Sequence, residues 1–85
     1  MNTFHAQILT PEGTLYEGKV TGVKMPGTDG SFEVKANHAP IVSTLEEGTV
    51  LIRKENGEVN YTISGGFVES ANNKLTLLAE SVVVA

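Results

Sequence analysis

The sequence predicts an all-β fold, a flattened two-sheet antiparallel β-sandwich of about ten short strands, and three observations support this prediction. Apolar and polar residues alternate at period two along much of the chain, as they do in strands with one buried face. Nine Gly and three Pro residues divide this pattern into short segments. No stretch shows the sustained apolar spacing of an amphipathic helix. We therefore expect one domain over residues 1–85.

Two hairpins are the clearest local predictions. Residues 58–64 alternate as a strand, and Asn56-Gly57 before them supplies the positive φ angles that a tight hairpin turn requires. Asn72-Asn73 is a second pair that tolerates left-handed geometry. It is predicted to join a strand at residues 67–71 to one at residues 74–79.

The phase of the alternation predicts which side chains reach the core. Leu75 and Leu77 should face inward, whereas Leu78 should lie on the outer face or at a partner surface. Within residues 19–25 the alternation of inward and outward side chains changes phase, and a β-bulge at Gly22 would restore the original phase.

The apolar C-terminal residues 82–84 do not alternate. An uncovered strand of this kind promotes aggregation. We therefore expect another element or a partner to cover it.

Composition excludes several classes of partner. The net charge is −4, and the six basic residues are scattered among ten acidic ones, which disfavours binding to nucleic acid or to an anionic membrane surface. The chain has no Cys, so disulfides and thiolate metal sites are excluded. Residues 82–85 form the longest apolar run and are too few to insert into a bilayer. Residues 1–10 lack the pattern of a signal peptide.

No group of residues predicts catalysis. His5 and His38 are the only histidines and lie on separate elements, without the spacing of metal ligands. Asp29 is the only Asp, and its Gly-rich surroundings are typical of a structural turn. Gly65-Gly66 is followed by a strand pattern rather than a helix, so a sharp corner is favoured over a phosphate-binding loop. We predict no enzymatic activity, no cofactor and no metal.

Several short motifs occur together in a family-specific order. The most distinctive is His38-Ala39-Pro40, and Gly-Gly-Phe-x-Glu follows at residues 65–69. With the motifs at residues 8–12, 15–18, 23–30 and 75–80, the chain resembles the N-terminal β-sandwich domain of the ε subunit of F-type ATP synthase, which is called δ in mitochondria. The chain departs from the family pattern at Asn37, which replaces a Gly, and at Ser31, which replaces an acidic residue. Family members usually continue into a helical hairpin beyond this domain, and properties of that hairpin are not expected here.

The resemblance implies a non-catalytic rotor subunit of the central stalk. It would bind the γ subunit on one side and the polar loops of the membrane c-ring at its loop end, coupling proton translocation to ATP synthesis. One sheet face, with residues 82–84 as a further candidate, would contact γ. The location would be peripheral, on the cytoplasmic side of a bacterial inner membrane. The residues expected on the c-ring side are Pro26, Gly27, Asp29, Gly30, Ser31, His38 and Pro40.

The alternative is a stand-alone β-sandwich that binds a carbohydrate or a peptide. Such modules often display aromatic platforms, but this chain has no Trp, two Tyr and three Phe, several of them on predicted core faces. An encoding gene beside that of the synthase β subunit would favour the rotor subunit.

Overall fold

The computed structural model describes residues 2–83 and shows an all-β fold without helices in that range. The ten strands are β1 (Phe4–Thr10), β2 (Gly13–Val20), β3 (Gly22–Gly27), β4 (Gly30–Lys35), β5 (Ile41–Leu45), β6 (Gly48–Lys54), β7 (Gly57–Ile63), β8 (Gly66–Ala71), β9 (Lys74–Ala79) and β10 (Val82–Val83). The prediction of about ten short strands is confirmed.

The strands form two half-sheets that face each other. The first half-sheet has the order β4-β3-β6-β7-β10, and the second has the order β5-β8-β9-β1-β2. They are joined where Gly27 of β3 pairs with Leu45 of β5. The sandwich is therefore one continuous, curled sheet rather than two separate sheets.

One strand pair corrects the prediction of a wholly antiparallel fold. β1 runs parallel to β9, whereas the other pairs in the described chain are antiparallel. A short hairpin forces antiparallel pairing only between consecutive strands. β1 and β9 are far apart in sequence, so no hairpin fixes their relative direction.

A single hydrophobic core fills the space between the half-sheets. Leu75 and Leu77 are fully buried and Leu78 is exposed, as the alternation predicts. Each fully buried Leu or Ile contributes about 1.5–3 kcal/mol to folding. The buried apolar residues are Phe4, Ala6, Ile8, Val20, Val23, Met25, Val34, Leu45, Val50, Ile52, Ile63, Val68, Leu75, Leu77 and Ala79.

The predicted bulge at Gly22 is wrong. The chain bends at Thr21 and passes from β2 in the second half-sheet to β3 in the first. Val20 and Val23 both reach the core because they belong to different strands. The Thr21 backbone N–H and hydroxyl both donate hydrogen bonds to the Arg53 carbonyl oxygen, at 2.7 and 3.1 Å, and these bonds fix the corner.

Both predicted hairpins are present, but their turns differ. Asn72 and Asn73 have φ angles of 53° and 59°, the left-handed geometry expected of a two-residue hairpin turn. In the other hairpin the turn residues are Glu55 and Asn56, and the positive φ, 150°, falls on Gly57. Asn56 therefore does not adopt the predicted left-handed conformation, because the following Gly takes the unusual backbone angle instead.

The C-terminal strand is only partly described. Val82 and Val83 pair with Ile63 and Thr62 of β7, and the half-buried Val82 packs against the core. The fold thus covers part of the apolar segment that we expected to be covered. Residue 84 lies outside the described residues.

Tyr16 of β2 introduces a dependence of stability on alkaline pH. Burial, together with a smaller effect of the Tyr61 phenol, raises the pKa of the Tyr16 phenol above its ordinary value of 10.0. The unfolded chain therefore loses this proton at a lower pH than the folded chain. We expect the contribution of Tyr16 to the free energy of unfolding to be constant below about pH 10 and to decrease as the pH rises through the folded-state pKa.

Urea unfolding of the wild type and of Tyr16→Phe, from neutral to about pH 11, measures this effect. The variant should lose less stability in the alkaline range. Equal losses in the two proteins would contradict the assignment to Tyr16.

Candidate protein-interaction surfaces

One end of the sandwich is strongly acidic. The turns that follow the odd-numbered strands (residues 11–12, 28–29, 46–47, 64–65 and 80–81) all lie at this end, because the last residues of these strands meet there. β3 and β5 pair at Gly27 and Leu45, β9 ends opposite Gly66 beside Leu45, β1 runs parallel to β9, and β7 ends opposite the first residue of β6. None of these turns contains Lys, Arg or His. We name this surface the acidic end after its exposed carboxylates, Glu12, Asp29, Glu46, Glu47 and Glu80.

The opposite end carries most of the positive charge. Of the six basic residues, only Lys24 lies mid-strand. The others lie within two residues of a strand terminus at the opposite end, and they are Lys19, Lys35, Arg53, Lys54 and Lys74. The charge is thus separated along the strand direction, a feature that the scattered sequence positions do not reveal.

The 26–30 turn belongs to the acidic end, but only part of it is accessible. Pro26 and Gly27 are buried, and a Cβ on Gly27 would meet the Phe32 ring and the Gly30 carbonyl oxygen, each at 2.7 Å. These two residues of the predicted c-ring set are therefore buried in the domain, where they shape the turn. The exposed members of the predicted set at this end are Asp29, Gly30 and Ser31.

Thr28 anchors the same turn to the second half-sheet. Its backbone N–H donates to the Thr44 carbonyl oxygen at 3.2 Å, and the two hydroxyls lie 2.9 Å apart. The backbone N–H of Glu46 donates to the Pro26 carbonyl oxygen at 2.8 Å. The turn is therefore held rigidly beside residues 46–47.

His38 and Pro40 lie at the opposite end. The loop at residues 36–40 follows β4 and precedes β5, and both residues are exposed. The length of β5, roughly 13 Å, separates this loop from the 26–30 turn. The structure therefore does not bring the two predicted loops together on one end.

The 36–40 loop is ordered by its own contacts. Asn37 has a φ of 63°, the left-handed geometry expected where this Asn replaces a Gly. The His38 backbone N–H donates to the Lys35 carbonyl oxygen at 3.2 Å, and its Nδ1 lies 2.7 Å from the Ala39 carbonyl oxygen. These contacts of His38 order the loop.

The outer face of the second half-sheet is apolar over part of its area. Val42, Phe67 and Leu78 are 64%, 37% and 47% exposed. Phe67 pairs with Leu78, and Leu78 pairs in turn with the partly exposed Leu9. We name this surface, formed by Val42, Phe67, Leu78 and Leu9, the apolar face. Its Leu9–Leu78–Phe67 row lies near the acidic end, so the two surfaces adjoin.

The outer face of the first half-sheet is different, because it carries an ion network. Arg53 donates to Glu33 from Nε at 2.8 Å and to Glu58 from Nη1 at 2.6 Å. The hydrogen bond and charge of Glu33, followed by Glu58, raise the pKa of the Arg53 guanidinium. Gly22 lies beneath the network, and a Cβ there would approach the Glu33 carboxylate to 2.6 Å. This face is suited to contact with water.

No constellation for catalysis or metal binding is found in residues 2–83. No three His, Asp or Glu side chains are grouped to hold a metal ion, and His5 pairs only with Glu17, at 3.1 Å. No fully buried side-chain nitrogen or oxygen in this range lacks a hydrogen-bond partner. The same residues contain no helix capable of crossing a membrane.

Sequence reasoning missed two features of these surfaces. In residues 67–71 the alternation places Phe67 and Val68 on different faces of the strand, so the outward position of Phe67 could have been predicted from the sequence. The acidic end could not have been predicted in this way, since its five carboxylates come from four separate turns.

The fold and its exposed surfaces define a small all-β interaction domain. Residues 3–85 match the family described as the ATP synthase delta/epsilon chain β-sandwich domain. The ATP synthase epsilon chain of Caulobacter vibrioides is 40% identical over 85 residues, covering 100% of this chain and 99% of the relative. The epsilon chain of Chlorobium limicola is 40% identical over 80 residues, covering 93% and 91%. The chain therefore belongs to the ATP synthase epsilon chain family.

Other relatives are longer. The epsilon chain of Salinibacter ruber is 36% identical over 84 residues, and the match covers 88% of this chain but 56% of that one. Among solved structures, a chain of the Euglena gracilis mitochondrial ATP synthase superposes with a TM-score of 0.90 at 19% identity, covering 95% of this chain and 52% of that chain. At this identity the superposition shows a shared fold.

Proposed function

We propose that the domain is a rotor subunit that links γ to the c-ring in the central stalk and couples proton translocation to ATP synthesis. The observation that carries this proposal is the family match over residues 3–85. The structure adds two unlike, adjoining surfaces, the apolar face and the acidic end. Two such surfaces suit a domain that holds two different partners at once.

The apolar face is the proposed site for γ. Exposed large apolar side chains in the described chain are Val42, Phe67 and Leu78, and all three lie on this side of the sandwich. Apolar and aromatic anchors supply most of the energy of stable protein interfaces. On the outer face of the first half-sheet, the charged groups of the ion network already pair with one another, and none of the three exposed apolar side chains lies there.

The acidic end is the proposed site for the c-ring loops. Asp29, Gly30 and Ser31 form its accessible hairpin tip beside Glu46 and Glu47. A surface with one sign of charge attracts and orients a partner of the opposite sign. Since His38 and Pro40 lie at the other end, we now place them at the border of the γ surface rather than on the ring.

Rigidity explains how such a domain transmits torque. Once γ holds the apolar face, the acidic end meets the ring at a high effective concentration, so the second contact forms without a large further entropy cost. The turn beside residues 46–47 is fixed by backbone hydrogen bonds, which limits movement between the two contacts. The subunit would thus turn with γ and the ring as one body. It would be peripheral, on the cytoplasmic side of a bacterial inner membrane.

Charge reversal tests the ring contact. We expect Glu46→Lys with Glu47→Lys to weaken binding of the domain–γ complex to purified c-ring by about tenfold or more, because like charges would meet at the interface. The measurement is a binding titration on immobilised c-ring at low and at physiological salt. The wild-type affinity should decrease as salt increases.

Glu55→Lys is the matched control, because Glu55 lies in a turn at the opposite end. It changes the net charge in the same direction away from the proposed contact. A local contact at the acidic end would be refuted if the loss of c-ring affinity per reversed charge is the same for the control and for the double variant.

Binding to γ tests the other half of the proposal. Purified γ should co-elute with the domain as a one-to-one complex. If γ binds an authentic epsilon chain but not this domain, a stand-alone binding module becomes the better interpretation.

A further inference from the structure

A polar cleft lies at the end opposite the acidic end. It is formed between the 36–40 loop and the turn that joins β8 to β9, and it is lined by Asn37, His38, Ala39, Pro40, Asn72 and Asn73. The non-glycine residues with positive φ among residues 2–83 are Asn37, Asn72 and Asn73, and all three line this cleft. Unusual backbone angles are often concentrated at binding sites.

The two walls of the cleft are fixed to each other. The Asn37 backbone N–H donates to Asn73 Oδ1 at 2.7 Å. The His5 backbone N–H donates to the Asn73 carbonyl oxygen at 3.1 Å, which ties the same turn to β1. A cleft fixed in this way loses little conformational freedom when a partner binds.

The chemistry of the cleft favours an anionic guest. Exposed carboxamide groups of Asn37 and Asn72 supply N–H donors. None of the lining residues is acidic, and the exposed Lys35 and Lys74 flank the loop and the turn in sequence. The one carboxylate in the adjoining grooves is Glu69, which lies beside Lys74 and Val42.

The cleft continues into the apolar face. Pro40 lines both the cleft and the next groove, which also contains the strongly exposed Val42. A partner that covers Val42 therefore reaches the rim of the cleft. We propose that the cleft receives an Asp or Glu side chain of the γ subunit, held by the Asn carboxamides and by Lys35 or Lys74. This inference rests on the proposed function and specifies how γ is aligned on the domain.

Zero-length carbodiimide cross-linking of the domain–γ complex tests the inference, because this reagent joins an amine only to a carboxylate in direct contact. We expect amide links from Lys35 or Lys74 to an Asp or Glu of γ, identified by peptide mass spectrometry. Lys54, at the same end of the first half-sheet, and Lys24, on its outer face, are internal controls. The inference is overturned if the complex forms but links through Lys35 and Lys74 are absent, or no more frequent than those through Lys54 and Lys24.

An affinity measurement gives an independent result. Lys35→Gln with Lys74→Gln should weaken γ binding by about tenfold, and Lys54→Gln should leave it unchanged. Asn72→Gly, which keeps the left-handed backbone but removes the carboxamide, should weaken binding by a smaller factor. Wild-type affinity in both the double variant and Asn72→Gly would refute the cleft contact. Failure of the wild-type domain to bind γ would instead overturn the proposed function, and this inference with it.

Discussion

Gly66→Ala should destabilise the domain by about 3 kcal/mol, a severe case of overpacking. Gly66 pairs with Ala79 at the start of β8. A Cβ at this position would collide with the Leu78 carbonyl oxygen and would lie 3.2 Å from the Ala79 Cα. These are backbone atoms, so relief requires the β8–β9 pair to separate. A small domain has a total stability of roughly 4–13 kcal/mol, so this loss is a large fraction of it.

Gly18→Ala is the matched control. Gly18 also lies within a strand, but a Cβ there would be 3.5 Å from the Tyr16 hydroxyl, an ordinary contact. Urea unfolding should show a change within about 0.5 kcal/mol for this variant. If Gly66→Ala is as stable as Gly18→Ala, the close approach of β8 and β9 is not a constraint in solution.

Phe67→Asp should weaken γ binding by at least about 30-fold, the effect of losing a central apolar anchor. Phe67 lies on the outer face of β8 and is 37% exposed. Its replacement removes apolar area and places a charge beside Leu78, the residue that pairs with it. Leu78→Asp should act in the same direction because it alters the same apolar row. Isothermal titration with purified γ measures both.

Asn60→Asp adds the same charge to the outer face of the first half-sheet, on β7, and should leave γ affinity unchanged. Circular dichroism and the urea midpoint establish that each variant is folded. The apolar face is not the γ site if folded Phe67→Asp and Leu78→Asp bind γ as Asn60→Asp does.

The local structure was predictable because it depends on neighbours in sequence. The inward Leu75 and Leu77, the outward Leu78 and the left-handed Asn72-Asn73 turn follow from alternation and turn chemistry. The corner at Thr21 was not predictable in this way. A phase change has the same appearance in sequence whether a strand bulges or ends, and only the pairing of β3 with β4 and β6 decides between them.

The candidate surfaces were less predictable than the fold, because they depend on which distant segments meet. Pro26 and Gly27 were expected at a partner surface, yet the packing of Phe32 over Gly27 buries them. His38 and Asp29 were placed on one end, and the direction of β4 and β5 puts them on opposite ends. The acidic end depends on five separate strand ends meeting at one place, which no single motif encodes.

Restoration of coupling tests whether the domain acts as a rotor subunit of the synthase. Membranes that contain the synthase but lack its epsilon subunit would be supplied with this domain, and proton pumping driven by ATP would be measured together with the amount of domain retained. We predict that the domain is retained through γ and the ring and that pumping per ATP hydrolysed increases. Retention without any increase in coupling, or no retention at concentrations at which an authentic epsilon chain binds, would contradict it.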